Sequence, residues 1–213
     1  MIGLVLAASG TGSRFGSETP KQFALLRGNP LYLHALECFA TFFDQAVIVL
    51  PSTWKEEVAQ HIQSLSYRDK LTLVVGGEKR QDSVRQGLYH LSQAMEIVLV
   101  HDAARPFAPP DLISRVIGVT RKHGACVPVL SVTDTVKEVS EERVVRTVAR
   151  EGLVLAQTPQ GFDVSLLKRA FAQAEKDGFY GTDEAALVER LNEPIHVVSG
   201  DKANIKITEK EDL

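Results

Sequence analysis

Short apolar runs that alternate with helix-like patterns set the fold this chain can adopt. Ile2–Ala7, residues 46–50, Leu71–Val75, residues 97–100 and residues 126–130 are each four to six residues long and rich in Val, Ile and Leu. Near-continuous hydrophobicity at that length suits strands buried on both faces, as in a parallel sheet. Helical spacing fills the gaps between them. Leu33, Leu36, Ala40 and Phe43 fall on one face after Pro30, and residues 54–65 read as a surface helix. Val84, Leu88 and Leu91 recur at helical spacing, as do Leu112, Ile113, Val116 and Ile117 after Pro109-Pro110. The expectation is a doubly wound α/β fold on a mostly parallel sheet, in one domain covering residues 1–213.

The pattern changes after Leu130. Val136, Val139, Val144, Val145 and Val148 flank the polar turn Ser140-Glu141-Glu142, which reads as a hairpin. No neighbouring segment covers its apolar face. An uncovered β edge invites pairing, so residues 133–150 are expected to form a dimerisation arm. Two helices follow, one over residues 164–174 and one opening at Thr182, with Thr182 as its N-cap and Asp183 and Glu184 in the first turn. Residues 195–198 read as a closing strand, followed by the segment 204–208.

The first strand runs into Leu6-Ala7-Ala8-Ser9-Gly10-Thr11-Gly12-Ser13-Arg14-Phe15-Gly16, followed by Thr19-Pro20-Lys21-Gln22-Phe23. A strand that opens into Gly, Ser and Thr exposes backbone N–H groups, which can wrap a polyphosphate. Arg14 and Lys21 add fixed positive charge. Lys21 lies five residues beyond Gly16, so the segment is not a P-loop. Gly10, Gly12 and Gly16 miss the dinucleotide spacing by one residue, and Val49-Leu50-Pro51 offers no acidic ribose partner. What remains is Gly-x-Gly-x-Arg followed by Pro-Lys.

Composition narrows the partners. A net charge of −3 argues against a general nucleic-acid coat, so an anion must be held locally. No apolar run approaches the ~20 residues of a membrane span, and no basic region precedes the first apolar stretch as in a signal peptide. Cys38 and Cys126 sit in apolar patterns without metal-ligand spacing, which suits buried thiols in a reducing compartment. The expected location is the cytoplasm. None of the six histidines pairs at metal-ligand spacing, and none receives a role.

The glycine loop resembles the signature of the sugar-nucleotide pyrophosphorylase-like nucleotidyltransferases. Four further segments sharpen the likeness: Gly76-Gly77-Glu78-Lys79-Arg80-Gln81-Asp82-Ser83-Val84, Val100-His101-Asp102-Ala103-Ala104-Arg105-Pro106, Gln157-Thr158-Pro159-Gln160 and Asn204-Ile205-Lys206. Together they are similar to the 2-C-methyl-D-erythritol 4-phosphate cytidylyltransferases of the non-mevalonate isoprenoid pathway, over essentially the whole chain. The resemblance implies a Rossmann-like nucleotidyltransferase fold with a protruding β-arm, a homodimer and a Mg²⁺ requirement. It implies transfer of CMP from CTP to a sugar-alcohol phosphate with release of pyrophosphate. A ribitol 5-phosphate cytidylyltransferase and a catalytically inactive nucleotide-binding protein are the competing readings. Lys206 within Asn-Ile-Lys and the Asp-Ala-Ala-Arg run favour the first.

The resemblance also assigns residues. It places Ala8, Ser9, Gly10 and Gly12 on the nucleotide, with Ala103, and places Gly77, Glu78 and Ser83 at the cytosine. Arg14 and Lys21 match the pair that stabilises charge on the α-phosphate and leaving pyrophosphate, each such donor being worth ~10²–10³ in rate. Asp102, Arg105, Thr135, Arg150, Thr158, Thr182 and Lys206 match the acceptor side, with Arg150 and Lys206 on its phosphate. Asp102, just past a strand, could take Mg²⁺ or a hydroxyl. Arm residues are expected to reach the neighbouring subunit's site. Glu78 stands where the family more often has Asp, and Ser9 where it has Ala. The chain stops at Leu213, short of a C-terminal helix, which is expected to leave the sheet edge near Ile207 less covered.

Overall fold

A computed structural model describes residues 1–10, 15–16 and 19–213. Along the chain, β1 (Ile2–Ala7) leads through the small ladder of β2 (Leu25–Leu26) and β3 (Asn29–Pro30) into α1 (Leu31–Glu37). Then come β4 (Gln45–Leu50), α2 (Lys55–Ile62), β5 (Leu71–Val75), α3 (Arg80–His90) and β6 (Ile97–Asp102). The second half holds α4 (Pro110–His123), β7 (Ala125–Ser131), the hairpin β8 (Val136–Ser140) and β9 (Arg143–Val148), β10 (Val154–Ala156) and β11 (Gln160–Asp163). It closes with α5 (Val164–Lys176), α6 (Ala185–Glu189) and β12 (His196–Ser199). The main sheet runs β10-β7-β11-β6-β1-β4-β5, with β12 also paired to β7. β5, β4, β1 and β6 are mutually parallel, as expected, while β11 and β10 are antiparallel insertions.

Alternation along the strands divides the core in two. Leu4, Leu6, Ile48 and Leu99 face α1, α2 and α4, where Leu36, Val58, Leu112 and Val116 are buried against them. Val5, Val47, Val49, Val98 and Val100 point the other way, onto Val84 and Leu88 of α3 and Leu167, Ala170 and Phe171 of α5. Side chains of period two on a doubly covered sheet require this arrangement. Helix α3 lies so close that a Cβ at Gly87 would meet Val5 Cγ1 at 2.6 Å and Val49 Cγ2 at 2.8 Å. The sheet thus fixes where the start of α3 must fall.

Several local expectations are corrected. α1 ends at Glu37, so Ala40 and Phe43 pack from turns beyond it, and Pro30 is its N-cap. The surface helix is a short 3₁₀ turn at Ser52–Trp54 followed by α2. The helix expected at Thr182 begins at Ala185, and Asp183 supplies the capping bond, accepting from the Ala186 amide at 3.0 Å. The segment 204–208 takes no helical or strand structure. Ile207 is not left at an open sheet edge. It is fully buried with Phe15 and Leu31, and its amide donates to the Ala104 carbonyl at 2.8 Å.

The hairpin forms as expected, with Glu141 and Glu142 both at positive φ, 48° and 63°, at its tip. Val139, Val144 and Val145 are exposed, and so are Leu153, Val154 and Leu155 just beyond it. Both cysteines are free: Cys126 is buried, while Cys38 is only partly so and points its thiol at the His34 and Pro106 carbonyls. Burial pushes both thiols up, Cys126 to about 12.

Candidate active site

Parallel register brings four strand ends together. Ala7 pairs with Val49 on one side and Asp102 on the other, so β1, β4 and β6 finish at one level. β5 finishes there too, with the Gly76 amide donating to the Leu50 carbonyl at 3.0 Å. Ligands bind at the carboxyl ends of strands in open α/β sheets. Two cavities of about 200 and 210 Å³ open at this edge. Ser9, Gly10, Lys21 and Gln22 line the first; Arg105, Gln157, Thr158, Thr182 and Asp183 line the second. Arg80, Asp102 and Lys206 belong to both, as a shared wall.

That wall is an ion network. Arg80 donates to Asp102 Oδ1 from Nε and Nη2 at 3.2 and 3.1 Å, and to Glu184 Oε1 and Oε2 at 2.8 and 3.0 Å. Lys206 Nζ donates to Asp102 Oδ2 at 2.7 Å. Burial pushes the Asp102 carboxyl up, but Arg80 and Lys206 beside it outweigh this and hold it well below the usual carboxylate range. Glu184 is more deeply enclosed; burial pushes it up despite the Arg80 guanidinium. The two carboxylates therefore sit in different electrostatic states on one arginine.

Behind Asp102 the turn is set by buried polar contacts. His101 Nε2 lies 3.0 Å from the Arg105 carbonyl, which can only accept, so Nε2 carries the hydrogen and Nδ1 accepts from the Thr158 hydroxyl at 3.1 Å. Thr158 Oγ1 in turn accepts the Asp102 amide at 3.1 Å. Burial lowers the His101 ring to about 4, keeping it neutral. Asn204 anchors the segment that carries Lys206, donating to the Thr158 carbonyl at 2.8 Å and accepting Arg105 Nη1 on its own carbonyl at 2.8 Å. Thr158 is thus engaged inward on both sides of its hydroxyl.

On the first cavity, Ser83 is the organising group. Its buried hydroxyl accepts from Ser9 Oγ at 2.7 Å and from the Gly77 amide at 3.1 Å, and donates to the Lys79 carbonyl at 3.0 Å. Gly77 and Glu78 themselves are not buried. A Cβ at Gly76 would meet Ser9 Cβ at 2.6 Å and Ser83 Oγ at 2.7 Å, so the close approach of these loops requires glycine. Gln22, buried, donates to the Ala8 and Gly10 carbonyls at 2.6 and 2.8 Å and fixes the start of the glycine loop.

Of the expected site residues, Ser9, Gly10, Lys21, Asp102, Arg105, Thr158, Thr182 and Lys206 line the two cavities, Ser83 and Gly77 sit behind Ser9, and exposed Glu78 lines neither. The amides of Ala8 and Ala103 are engaged by Val49 and Ala7, so these residues contribute shape rather than donors. Arg14 and Gly12 lie outside the described residues. Thr135 and Arg150 are exposed at the base of the hairpin, where Arg150 donates to the Thr133 carbonyl, and neither lines the two cavities. Sequence reasoning missed Arg80, Glu184, Gln22 and His101. Arg80 and Gln22 stand inside segments singled out for other residues, and a Glu just ahead of the apolar positions opening α6 is the available signal for Glu184.

A metal fits this residue set poorly. Both Asp102 oxygens are held by Arg80 and Lys206, and the described residues contain no group of three or more His, Cys, Asp or Glu able to cage an ion.

The comparisons agree with this geometry. The family model for 2-C-methyl-D-erythritol 4-phosphate cytidylyltransferase matches residues 2–213. A protein of that name from Acidobacterium capsulatum is 42% identical, spanning 99% of this chain and 93% of its own length. One from Syntrophus aciditrophicus is 40% identical over 98% of this chain and 91% of its own. The crystal structure of the Thermus thermophilus cytidylyltransferase superposes with a TM-score of 0.83 at 33% identity, covering 98% of this chain and 93% of that one. The 4-diphosphocytidyl-2C-methyl-D-erythritol synthase of Anaerococcus prevotii gives 0.85 at 28% identity, covering 99% and 94%. With the doubly wound sheet, the loop pair around Ser83 and the Asp102–Lys206 contact already in place, the chain belongs to the 2-C-methyl-D-erythritol 4-phosphate cytidylyltransferase family.

Proposed function

We infer that the two cavities flanking the Arg80–Asp102–Lys206 wall are where this chain carries out its family's reaction. It transfers CMP from CTP to 2-C-methyl-D-erythritol 4-phosphate, giving 4-diphosphocytidyl-2-C-methyl-D-erythritol and pyrophosphate. The shared wall carries the reading: two polar chambers separated by one carboxylate and two cations suit two phosphate-bearing substrates that must meet. CTP occupies the chamber of Ser9, Gly10 and Lys21, its base against Gly77 and Ser83. The acceptor occupies the chamber of Arg105 and Thr182.

An oxygen of the acceptor phosphate attacks the α-phosphorus. A new P–O bond forms there as the bond to the β-phosphate bridging oxygen breaks, and the electron pair leaves with pyrophosphate. No protein group bonds covalently, so rate comes from alignment and from stabilising charge that develops on the phosphates. Lys21 and Arg14 take that role at the leaving group. Lys206 meets the acceptor phosphate, and Asp102, held as a carboxylate, accepts a hydroxyl.

Mg²⁺, when present, would supply charge that screens the triphosphate of CTP. The exposed valines of the hairpin suit a second copy of the chain, which would bring Thr135 and Arg150 to the acceptor chamber of its neighbour. Free cysteines accord with a reducing, cytoplasmic setting. No described helix is long and apolar enough to cross a membrane. Pyrophosphate release with the methylerythritol phosphate and CTP, UTP or ATP tests the nucleotide assignment. CTP should dominate, and equal turnover with UTP would overturn the placement of the base at Gly77 and Ser83.

A further inference from the structure

The N-cap and first turn of α3 do more than present Ser83. Their residues grip the segment 179–184 at successive points. Lys79 Nζ lies 3.4 Å from the centre of the Tyr180 ring. Gln81 donates to the Phe179 carbonyl at 3.0 Å and accepts the Gly181 amide at 2.9 Å. Arg80, between them, makes its two-point contact with Glu184 while its other edge holds Asp102. Glu184 is 1% exposed while the Arg80 side chain keeps 31% exposure, so the carboxylate end of the pair is enclosed and the guanidinium opens onto the cavities. Thr182 and Asp183, which line the acceptor chamber, hang between Gly181 and Glu184.

One guanidinium therefore connects three parts of the site: the helix start that reads the nucleotide, the carboxylate of the shared wall and the acceptor turn. A planar, forked donor can serve two carboxylates at once; an ammonium on a flexible stem cannot hold both in a fixed relation. We propose that Arg80 is a positioning residue for the acceptor, setting Asp102 and the Thr182 turn in one frame fixed by α3. This rests on the assignment of the second chamber to the acceptor. Arg80 bonds the two carboxylates, so it acts through Asp102 and the turn rather than on the reacting atoms.

The full chain and its Arg80→Lys and Glu184→Gln variants are assayed by pyrophosphate release, varying CTP and methylerythritol phosphate separately, with CTP affinity measured by calorimetry. Arg80→Lys should raise the acceptor KM by about tenfold or more while the CTP KM and Kd stay within about threefold. Glu184→Gln keeps the side-chain shape and should shift the acceptor KM in the same direction by a smaller factor. A residue that merely staples the fold would change both substrates alike. Equal factors for the two KM values, or an acceptor KM within about threefold of the parent in Arg80→Lys, would overturn the proposal. Should Arg80→Lys fail to fold, Glu184→Gln is judged by the same split. Turnover by the parent chain keeps this outcome separate from failure of the functional reading, which would abolish it in every protein tested.

Discussion

Lys206 Nζ sits 2.7 Å from Asp102 Oδ2 across a sequence separation of 104 residues. Asp102 is the last residue of β6, and Lys206 rides a segment with no regular structure. That segment is fixed by Asn204 on the Thr158 carbonyl and by the Ile207 amide on Ala104. The lysine therefore arrives at the site on a rigid mount despite lacking a helix or strand beneath it.

Replacing Lys206 by Met keeps the stem and removes the charge. With Lys206 on the acceptor phosphate as proposed, kcat/KM for the acceptor should fall by about 10²-fold, in the range of other preorganised donors. CTP affinity should change little. Steady-state kinetics with each substrate varied in turn checks this.

Ser83→Ala should act on the other chamber. Its hydroxyl joins Ser9 and the Gly77 amide, and losing it leaves buried polar partners unmatched, at about 1–3 kcal/mol. The expected result is a CTP Kd raised roughly tenfold with the acceptor KM nearly unchanged, measured by calorimetry and steady-state assays.

Little of this convergence can be read along the chain. The strands buried on both faces are plain because Val, Ile and Leu run continuously through them, and α4 and α5 because their apolar stripes are long. β11 is not, since Gln160–Asp163 holds Phe162 as its one large apolar residue and pairs antiparallel between β6 and β7. The start of α6 is displaced because Thr182 looks like a cap, whereas the grip of Gln81 on Gly181 and of Gln160 on Asp183 holds that turn open until Ala185. The resemblance supplies Asp102 and Lys206. Arg80 and Glu184 need the fold, because an ion pair across 104 positions has no local signature.

His101 gives the stability a pH dependence whose sign follows from its burial. Its ring titrates at about 4 in the folded chain, against about 6.5 in an unfolded one. The unfolded state then binds more protons, so the contribution is fully present above about pH 6.5 and is lost as pH falls toward 4. The loss amounts to about 3 kcal/mol at most. Urea unfolding between about pH 7 and about pH 4 should show it, and His101→Gln should show a shallower decline over the same window.

Under the dimer proposed above, deleting the hairpin, residues 136–148, should leave the sheet folded and give a monomer in sedimentation, since Val139, Val144 and Val145 are exposed and belong to none of the described core clusters. The same proposal has acceptor turnover fall with it, because Thr135 and Arg150 would no longer reach a second copy's acceptor chamber. A deletion variant that remained dimeric would remove the arm from the interface.

The most direct test of the site as a whole is pyrophosphate release from CTP with each of two acceptors, 2-C-methyl-D-erythritol 4-phosphate and ribitol 5-phosphate. The chamber of Arg105, Thr182, Asp102 and Lys206 should support turnover with the first at a kcat/KM far above that with the second. Turnover with ribitol 5-phosphate and none with the methylerythritol phosphate would contradict the account.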